Sequence, residues 1–287
     1  MKIWLNGVIK NQDDACIATT DRGFLLGDGL FETMRAHKGR VAWLSRHLDR
    51  LKGHADAIGF DHSLLPTPEQ VRQAIETLCA EIDGDDAVIR LTVTRGSAPR
   101  GILPPDTCHP TILITAAPFA RPITDNGLIL ATSKVIRRNP WSVAGRVKSL
   151  NYLDNIAARR EVASYGADEA LILSVDGTVA ETTIANLFAV RNGAVYTPPV
   201  ECGILPGLAR QCVIDWCHQN DIVMHVASID PADLTSMDAM FVCNALQGLR
   251  LVQSIDGYSF KPGLETTKIL RRLDGVLDRE LSLGIDI

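Results

Sequence analysis

Lys148 is the first residue whose type and place could do chemistry. It stands in Arg146-Val-Lys148-Ser-Leu-Asn-Tyr152, between a predicted extended stretch and a helix predicted from about Ser149 to Tyr165. A helix N-terminus and the nearby Arg146 both disfavour an ammonium group, which would lower the pKa of Lys148. A lysine amine of this kind forms Schiff bases with carbonyl compounds. A solvated lysine at the end of a strand explains the same spacing.

Three further features could hold an anionic, nitrogen-containing ring compound. Glu181 interrupts a run of small and apolar residues, so its carboxylate could keep a ring nitrogen protonated, or could simply face solvent. The segment Gly203-Ile-Leu-Pro-Gly207-Leu-Ala-Arg210 opens a predicted helix, and free N–H groups at a helix start attract phosphate. Arg50 could bind phosphate bidentately or lie on the exposed face of its helix.

Composition excludes several other classes of function. The formal net charge of -5 gives no basic surface for nucleic acid, and no apolar run approaches a membrane span. Seven cysteines without a Cys-x-x-Cys pair argue against a disulfide framework or a zinc site. Free thiols are typical of a reducing cytoplasm, which is the expected location.

The elements that must position these residues alternate between strands and helices, with many hairpins. Turn dipeptides such as Asn6-Gly7 and Asn192-Gly193 predict antiparallel pairing, which disfavours a doubly wound parallel sheet. Residues 117–126 contain two prolines and several turn formers, so they predict a linker. We therefore expect an α/β (α+β) chain with mixed, hairpin-rich sheets, an N-terminal domain over 1–116 and a larger C-terminal domain over 127–287.

Taken in order, these motifs resemble the class IV aminotransferases, the fold-type IV enzymes that use pyridoxal 5′-phosphate. The family includes branched-chain aminotransferase, D-amino acid transaminase, (R)-amine transaminase and aminodeoxychorismate lyase. The resemblance extends from Trp4-Leu-Asn-Gly7 to Asp256-Gly257. It implies a two-domain fold, bound pyridoxal 5′-phosphate in the larger domain, and a homodimer.

The resemblance also implies roles for individual residues. Lys148 is similar to the Schiff-base lysine that moves the substrate proton, Glu181 to the partner of the pyridine nitrogen, and Tyr152 to the partner of the ring oxygen. Threonines that often contact the phosphate are replaced here by alanine, so backbone groups are expected to act instead, with Asn244 a candidate replacement. The implied phosphate-binding set is Arg50, Leu208, Ala209, Asn244 and Ala245.

The candidate substrate-binding positions resemble different members of the family. Phe31-Glu32-Thr33 and Val88-Ile-Arg90 depart from the branched-chain enzymes in one residue each, whereas Thr94–Arg100 resembles D-amino acid transaminase. Cys243-Asn-Ala-Leu246 instead resembles the lyase. We expect a transaminase of D-amino acids or (R)-amines, with the lyase and the branched-chain L-amino acid enzyme as alternatives. The candidate substrate-binding residues are Phe31, Arg90, Arg95 and Arg100, the arginines as partners of a carboxylate.

Overall fold

The computed structural model describes residues 1–121 and 127–284, and the chain divides into two units. The first comprises Met1–Ala120, Val147–Asn151 and the chain from Glu280 onward, and the second comprises Arg121–Arg146 and Tyr152–Arg279. The division between Ala120 and Arg121 falls within 117–126, the segment predicted as a linker, of which residues 122–126 lie outside the described residues. The two returns to the first unit were not predicted from the sequence.

The segment around Lys148 belongs to the first unit because the main chain pairs there. The N–H of Leu150 donates to the carbonyl of Gly29, and the N–H of Phe31 donates to the carbonyl of Lys148, both at 3.0 Å. Val147 packs in the core of the same unit. The prediction that 147–151 belong to the C-terminal domain is therefore wrong, because these residues extend the edge of the first sheet.

One six-stranded antiparallel sheet forms the centre of the first unit, in the order β2-β1-β6-β5-β3-β4. In β5, alternate residues from Ala87 to Val93 are buried against the helices, so Arg90 lies on the opposite face. The predicted hairpin at Asn6-Gly7 is confirmed. The strands are β1 (Lys2–Leu5), β2 (Val8–Asn11), β3 (Gly29–His37), β4 (Arg40–Val41), β5 (Asp86–Thr94) and β6 (Thr111–Pro118).

Helices cover the buried face of this sheet. The longest buries Leu44, Leu51 and Ala55, apolar residues at helical spacing, and it also buries His47 and His54. The next begins with Pro68 behind a capping box formed by Thr67 and Gln70. The helices are α1 (Arg22–Leu26), α2 (Leu44–Ala57) and α3 (Pro68–Cys79), with short 3-10 turns at Gln12–Asp14 and His62–Leu64.

The second unit contains a mixed sheet in the order β12-β11-β10-β13-β14-β7-β8-β9, with β15 beside β14. An additional pairing of Asn186 in β10 with Glu181 in β9 closes six of these strands into a ring. The strands are β7 (Leu128–Arg138), β8 (Glu169–Ser174), β9 (Val179–Thr182), β10 (Asn186–Arg191), β11 (Ala194–Thr197), β12 (Met224–Val226), β13 (Ala239–Asn244), β14 (Gly248–Ile255) and β15 (Tyr258–Ser259).

The helices of the second unit include one whose start differs from expectation. The helix after Lys148 begins at Leu153, not near Ser149, and Lys148 follows a four-residue helix rather than an extended stretch. The helices are α4 (Val143–Arg146), α5 (Leu153–Ala163), α6 (Leu208–Gln219) and α7 (Leu264–Leu283), the last ending in the first unit. Short 3-10 segments cover Val200–Cys202 and Pro231–Ser236.

All seven cysteines are unpaired and four of them are buried. Within residues 1–121 and 127–284, no helix has the length and apolarity needed to cross a membrane.

Candidate active site

Lys148 lies in a turn of the first unit, with Phe31 and Arg90 beside it. Its Nζ atom is 4.4 Å from the centroid of the Phe31 ring, and the Cζ atom of Arg90 is 3.8 Å from the same centroid. Phe31 is buried in β3, whereas Arg90 in β5 is exposed. The register pairs Arg90 with Thr33, two residues from Phe31, which places Arg90 diagonally across from the ring. Two cations therefore contact one aromatic ring, and both cation–ring distances are within the range of attraction.

Arg50 occupies a buried ion-pair network on the helix-covered face of the same sheet. Its Nε atom donates to Glu32 Oε1 at 2.9 Å and its Nη2 atom donates to Glu32 Oε2 at 2.6 Å. His47 Nδ1 lies 2.7 Å from Glu32 Oε2, and both residues are fully buried. The bidentate fork that the sequence suggested for phosphate is thus directed at Glu32, which also holds the guanidinium in one orientation.

The network determines the charge state of Glu32. Burial alone would raise the pKa of its carboxyl, but Arg50 and His47 outweigh that effect and hold this pKa far below its usual range. Burial also lowers the pKa of His47, despite the opposing effect of Glu32. At neutral pH the network therefore contains a carboxylate, a guanidinium and a neutral imidazole.

Arg95, one of the three candidate carboxylate ligands, has a structural task. Its guanidinium is buried, and all three of its nitrogens are engaged: Nε on Asp28 at 2.9 Å, Nη1 on the carbonyl of Gly59 and Nη2 on that of Ile58. These contacts tie the end of α2 to the start of β3. Arg100, the third candidate, is exposed in the loop before β6. Of the three arginines, the structure brings only Arg90 to the ring that Lys148 contacts.

Glu181 lies in the second unit, where the ring of strands closes. Arg138 Nε lies 3.0 Å from Glu181 Oε1 in an ion pair whose angle falls short of a hydrogen bond. The N–H of Leu205 and the Nδ2 group of Asn186 donate to Oε2 at 3.1 and 3.2 Å. Glu181 is buried, so the alternative that it faces solvent is wrong. Its carboxylate is instead surrounded by one guanidinium and two hydrogen-bond donors.

Arg138 and its partners were not identified from the sequence. Arg138 Nη1 donates to Asn155 Oδ1 at 2.8 Å, and Asn155 Nδ2 donates to the carbonyl of Thr183 at 2.9 Å. The sequence pattern predicts a strand over residues 128–133, but β7 continues five residues further, to Arg138. The sequence around Arg138, at the end of β7, does not identify its ion-pair partner Glu181, which lies 43 residues later.

The start of α6 presents N–H groups without a capping side chain. Its N-cap residue is Gly207, which has no side chain to cap the N-terminal turn formed by Leu208 and Ala209. A Cβ atom on Gly207 would collide with Asn186 Oδ1, which explains why glycine is required there. The expected seat for phosphate at Leu208 and Ala209 therefore has the right local chemistry.

The remaining predicted cofactor ligands lie at turns or helix starts. Tyr152 is half-buried and immediately precedes α5. Asn244 accepts hydrogen bonds from the N–H groups of Leu246 and Gln247 at 3.0 and 2.7 Å, and it donates to the carbonyl of Ile184. The Asn244 side chain therefore stabilises the turn after β13. A phosphate contact at this turn would be made by backbone N–H groups, such as that of Ala245.

Known proteins resemble this chain over most of its length. The family model described as amino-transferase class IV matches residues 29–255. A protein of Methanocaldococcus jannaschii, a branched-chain-amino-acid aminotransferase by provisional assignment, is 37% identical over 90% of this chain and 88% of its own. D-alanine aminotransferase of Staphylococcus epidermidis is 30% identical over 99% of this chain and 96% of its own. The solved structure of 4-amino-4-deoxychorismate lyase from Pseudomonas aeruginosa has a TM-score of 0.82 and 27% identity, covering 98% of this chain and 99% of that one.

Proposed function

Because the chain belongs to the class IV aminotransferases, we propose that it moves an amino group between a D-amino acid and a 2-keto acid. The expected α/β, fold-type IV architecture is confirmed by the solved relatives. The observation that carries the proposal is the shared contact of Arg90 and Lys148 with the Phe31 ring. A guanidinium that contacts the same ring as the proposed reacting amine suits a substrate that carries a carboxylate beside its amino group. That favours amino acids over simple amines.

Enzymes of this family depend on pyridoxal 5′-phosphate, which supplies an electron sink at the substrate α-carbon. The donor set of this chain fits that group. Glu181, ion-paired with Arg138, is the carboxylate that would keep the pyridine nitrogen protonated. The bare N-terminal turn of α6 at Leu208 and Ala209 provides N–H donors for phosphate, to which Arg50 would add a positive charge.

Within this assignment, Lys148 would have two tasks. Its amine would hold the cofactor, and it would take the proton from the substrate α-carbon and later give a proton back. Tyr152 would donate a hydrogen bond to the ring oxygen. Arg90 would hold the substrate carboxylate, and Phe31 would pack between the two cations and the substrate.

The preference for D-amino acids has two supports. The D-alanine aminotransferase relative aligns over nearly the whole of both chains. Val88 also stands where branched-chain enzymes have tyrosine, so one contact typical of those enzymes is missing here. The 37% identical relative favours a branched-chain L-amino acid transaminase as the second candidate.

A coupled assay distinguishes these activities from the lyase. We expect the holoenzyme to form pyruvate from D-alanine over many turnovers only when 2-oxoglutarate is present, and to form at most about one equivalent per active site without it, because each amino group left on the enzyme must be passed on before the next turnover. Pyruvate released from aminodeoxychorismate without any keto-acid acceptor would contradict a transaminase and favour the lyase. Pyruvate formation from neither substrate, with transfer from L-leucine instead, would favour the branched-chain enzyme.

Replacing Arg90 with methionine tests the carboxylate contact. We expect the KM for the amino donor to rise by about 10- to 100-fold, because a hydrogen-bonded ion pair contributes about 1.5–3 kcal/mol. Arg95→Met is the matched control: it should lower the melting temperature and leave KM near the wild-type value, since Arg95 binds Asp28 and two carbonyl groups. Equal KM values for Arg90→Met and wild type would remove Arg90 from the substrate site.

A homodimer is part of the same proposal. Phe24, Ile102 and Leu103 are 76%, 81% and 86% exposed in the first unit, and apolar side chains so exposed are typical of interfaces. Arg22 holds this surface together by donating to the carbonyls of Gly101 and Ile102 at 2.9 and 2.7 Å. The molecular mass in solution, measured by light scattering, should be twice the 31.2 kDa of one chain.

A further inference from the structure

The main chain of Lys148 is held from both sides although it belongs to no helix or long strand. Its carbonyl accepts the N–H of Phe31 in β3 at 3.0 Å. Its own N–H donates to Nδ1 of His54 at 3.2 Å, and His54 comes from α2. This hydrogen bond of the Lys148 N–H therefore depends on a side chain that is 94 residues away in sequence.

His54 can accept this bond because its imidazole is neutral. Burial lowers its pKa, and the charges of Arg50 and Lys148 lower it further against the opposing effect of Glu32, to about 4. At neutral pH the proton of the ring must then be on Nε2, since Nδ1 receives the N–H of Lys148. Only 8% of His54 is exposed, so water competes little for Nδ1.

The position of His54 on α2 links two parts of the proposed site. Arg50 and His54 are four residues apart, so they lie on the same face of the helix, one turn from each other. Glu32 holds Arg50 in place, and His54 holds the main chain of Lys148. A single rigid helix turn thus sets the spacing between the guanidinium proposed for phosphate and the backbone of the reacting lysine.

We propose that His54 is a positioning residue that keeps the Lys148 turn in place through its Nδ1 acceptor. This inference rests on the proposed covalent role of Lys148. It predicts that the acceptor atom, rather than the size or the ring of His54, is what the reaction requires. Asparagine provides the matched test, because its Oδ1 atom takes about the same place as the Nδ1 of histidine, whereas leucine has similar size and no acceptor.

The experiment compares His54→Asn, His54→Leu and the exposed control His62→Leu. The enzyme is freed of cofactor, pyridoxal phosphate is added, and the growth of the visible absorbance band of the lysine-bound cofactor is timed. We expect His54→Leu to react about 10-fold more slowly than wild type, with His54→Asn and His62→Leu within about 2-fold of it. Equal rates for His54→Leu and wild type, or equally slow rates for the Leu and Asn variants, would overturn the proposal.

Amide hydrogen exchange separates this inference from the role of Lys148 itself. In the cofactor-free protein, the peptide containing Lys148 should exchange faster in His54→Leu than in wild type and His54→Asn. If exchange changes in this way but Lys148→Ala keeps the visible band, the covalent role fails and the positioning contact stands. If the band requires Lys148 but neither exchange nor rate responds to His54→Leu, the positioning role alone fails.

A pH series gives a second readout that a merely space-filling residue would not alter. The folded pKa of His54 is about 4 against an ordinary 6.5, so its neutral form contributes stability that is complete above pH 6.5 and is lost as the pH falls towards 4. The charged groups that face it are Arg50 on α2, Glu32 on β3 and Lys148 in the turn. His54→Asn cannot titrate, so its melting temperature should fall less than that of wild type between pH 6.5 and 4. An identical fall in both proteins would contradict a neutral, accepting His54.

Discussion

Replacing Lys148 with alanine is expected to remove the visible absorbance band of the bound cofactor and to lower the transamination rate by about 10³-fold or more. The substitution removes both the covalent attachment and the base that moves the α-proton, and a positioned base alone contributes about 10²- to 10⁴-fold. Spectra from 300 to 500 nm, together with single-turnover rates, measure the two effects separately.

The chain offers a matched control for that substitution. Lys134 is the other lysine between Lys52 and Lys261, and its side chain is exposed in β7. Its Nζ atom lies 5.9 Å from the centroid of the Tyr165 ring. Lys134→Ala should therefore keep the visible band and the wild-type rate. A band that survives in Lys148→Ala and disappears in Lys134→Ala would reverse the assignment.

Replacing Glu181 with glutamine is the second change with a large expected effect. Activity should fall by about 10²- to 10³-fold, because a neutral amide no longer stabilises charge on the ring nitrogen. The free energy of unfolding of the cofactor-free protein should also fall, by about 3 kcal/mol, since the buried Arg138 guanidinium would lose its counter-ion. Chemical denaturation measures the stability change and steady-state kinetics measure the activity.

A double-mutant cycle with Arg138→Met separates these two losses. Removing both charges should restore part of the stability, because no buried charge is left unpaired, whereas activity should stay low. Additive stability losses from the two substitutions would contradict the ion pair. Wild-type activity in Glu181→Gln would contradict a role for this carboxylate at the cofactor.

The sequence predicted most elements of the fold because each is encoded locally. Turn dipeptides such as Asn192-Gly193 and the apolar periodicity of α2 depend only on neighbouring residues, and the structure confirms both. The start of α5 was placed four residues too early, because the helix-compatible residues after Lys148 form tertiary main-chain bonds with β3 instead.

Site residues were predictable where an ordered motif identified them and not where a partner comes from afar. Lys148 and Glu181 stand in recognisable segments, but the contacts that hold them, from His54 and Arg138, join residues 94 and 43 positions apart. A signal for His54 did exist, since His47, Leu51 and His54 share helical spacing and all lie on the buried face of α2. Residue type does not show which of Arg90 and Arg95 faces the proposed site. Arg90 lies within β5, where the alternation of side chains between the two faces applies, whereas Arg95 follows the last residue of the strand, Thr94.

Pyridoxal phosphate bound to Lys148 and amino transfer from D-amino acids can be tested together in a half-reaction without any keto acid. In this experiment, D-alanine, D-glutamate, L-leucine and (R)-phenylethylamine are added separately to the holoenzyme. We predict that the D-amino acids bleach the visible band, that L-leucine and the amine leave it largely unchanged, and that Arg90→Met slows the bleaching. Bleaching by L-leucine with none by D-alanine or D-glutamate would contradict the claim.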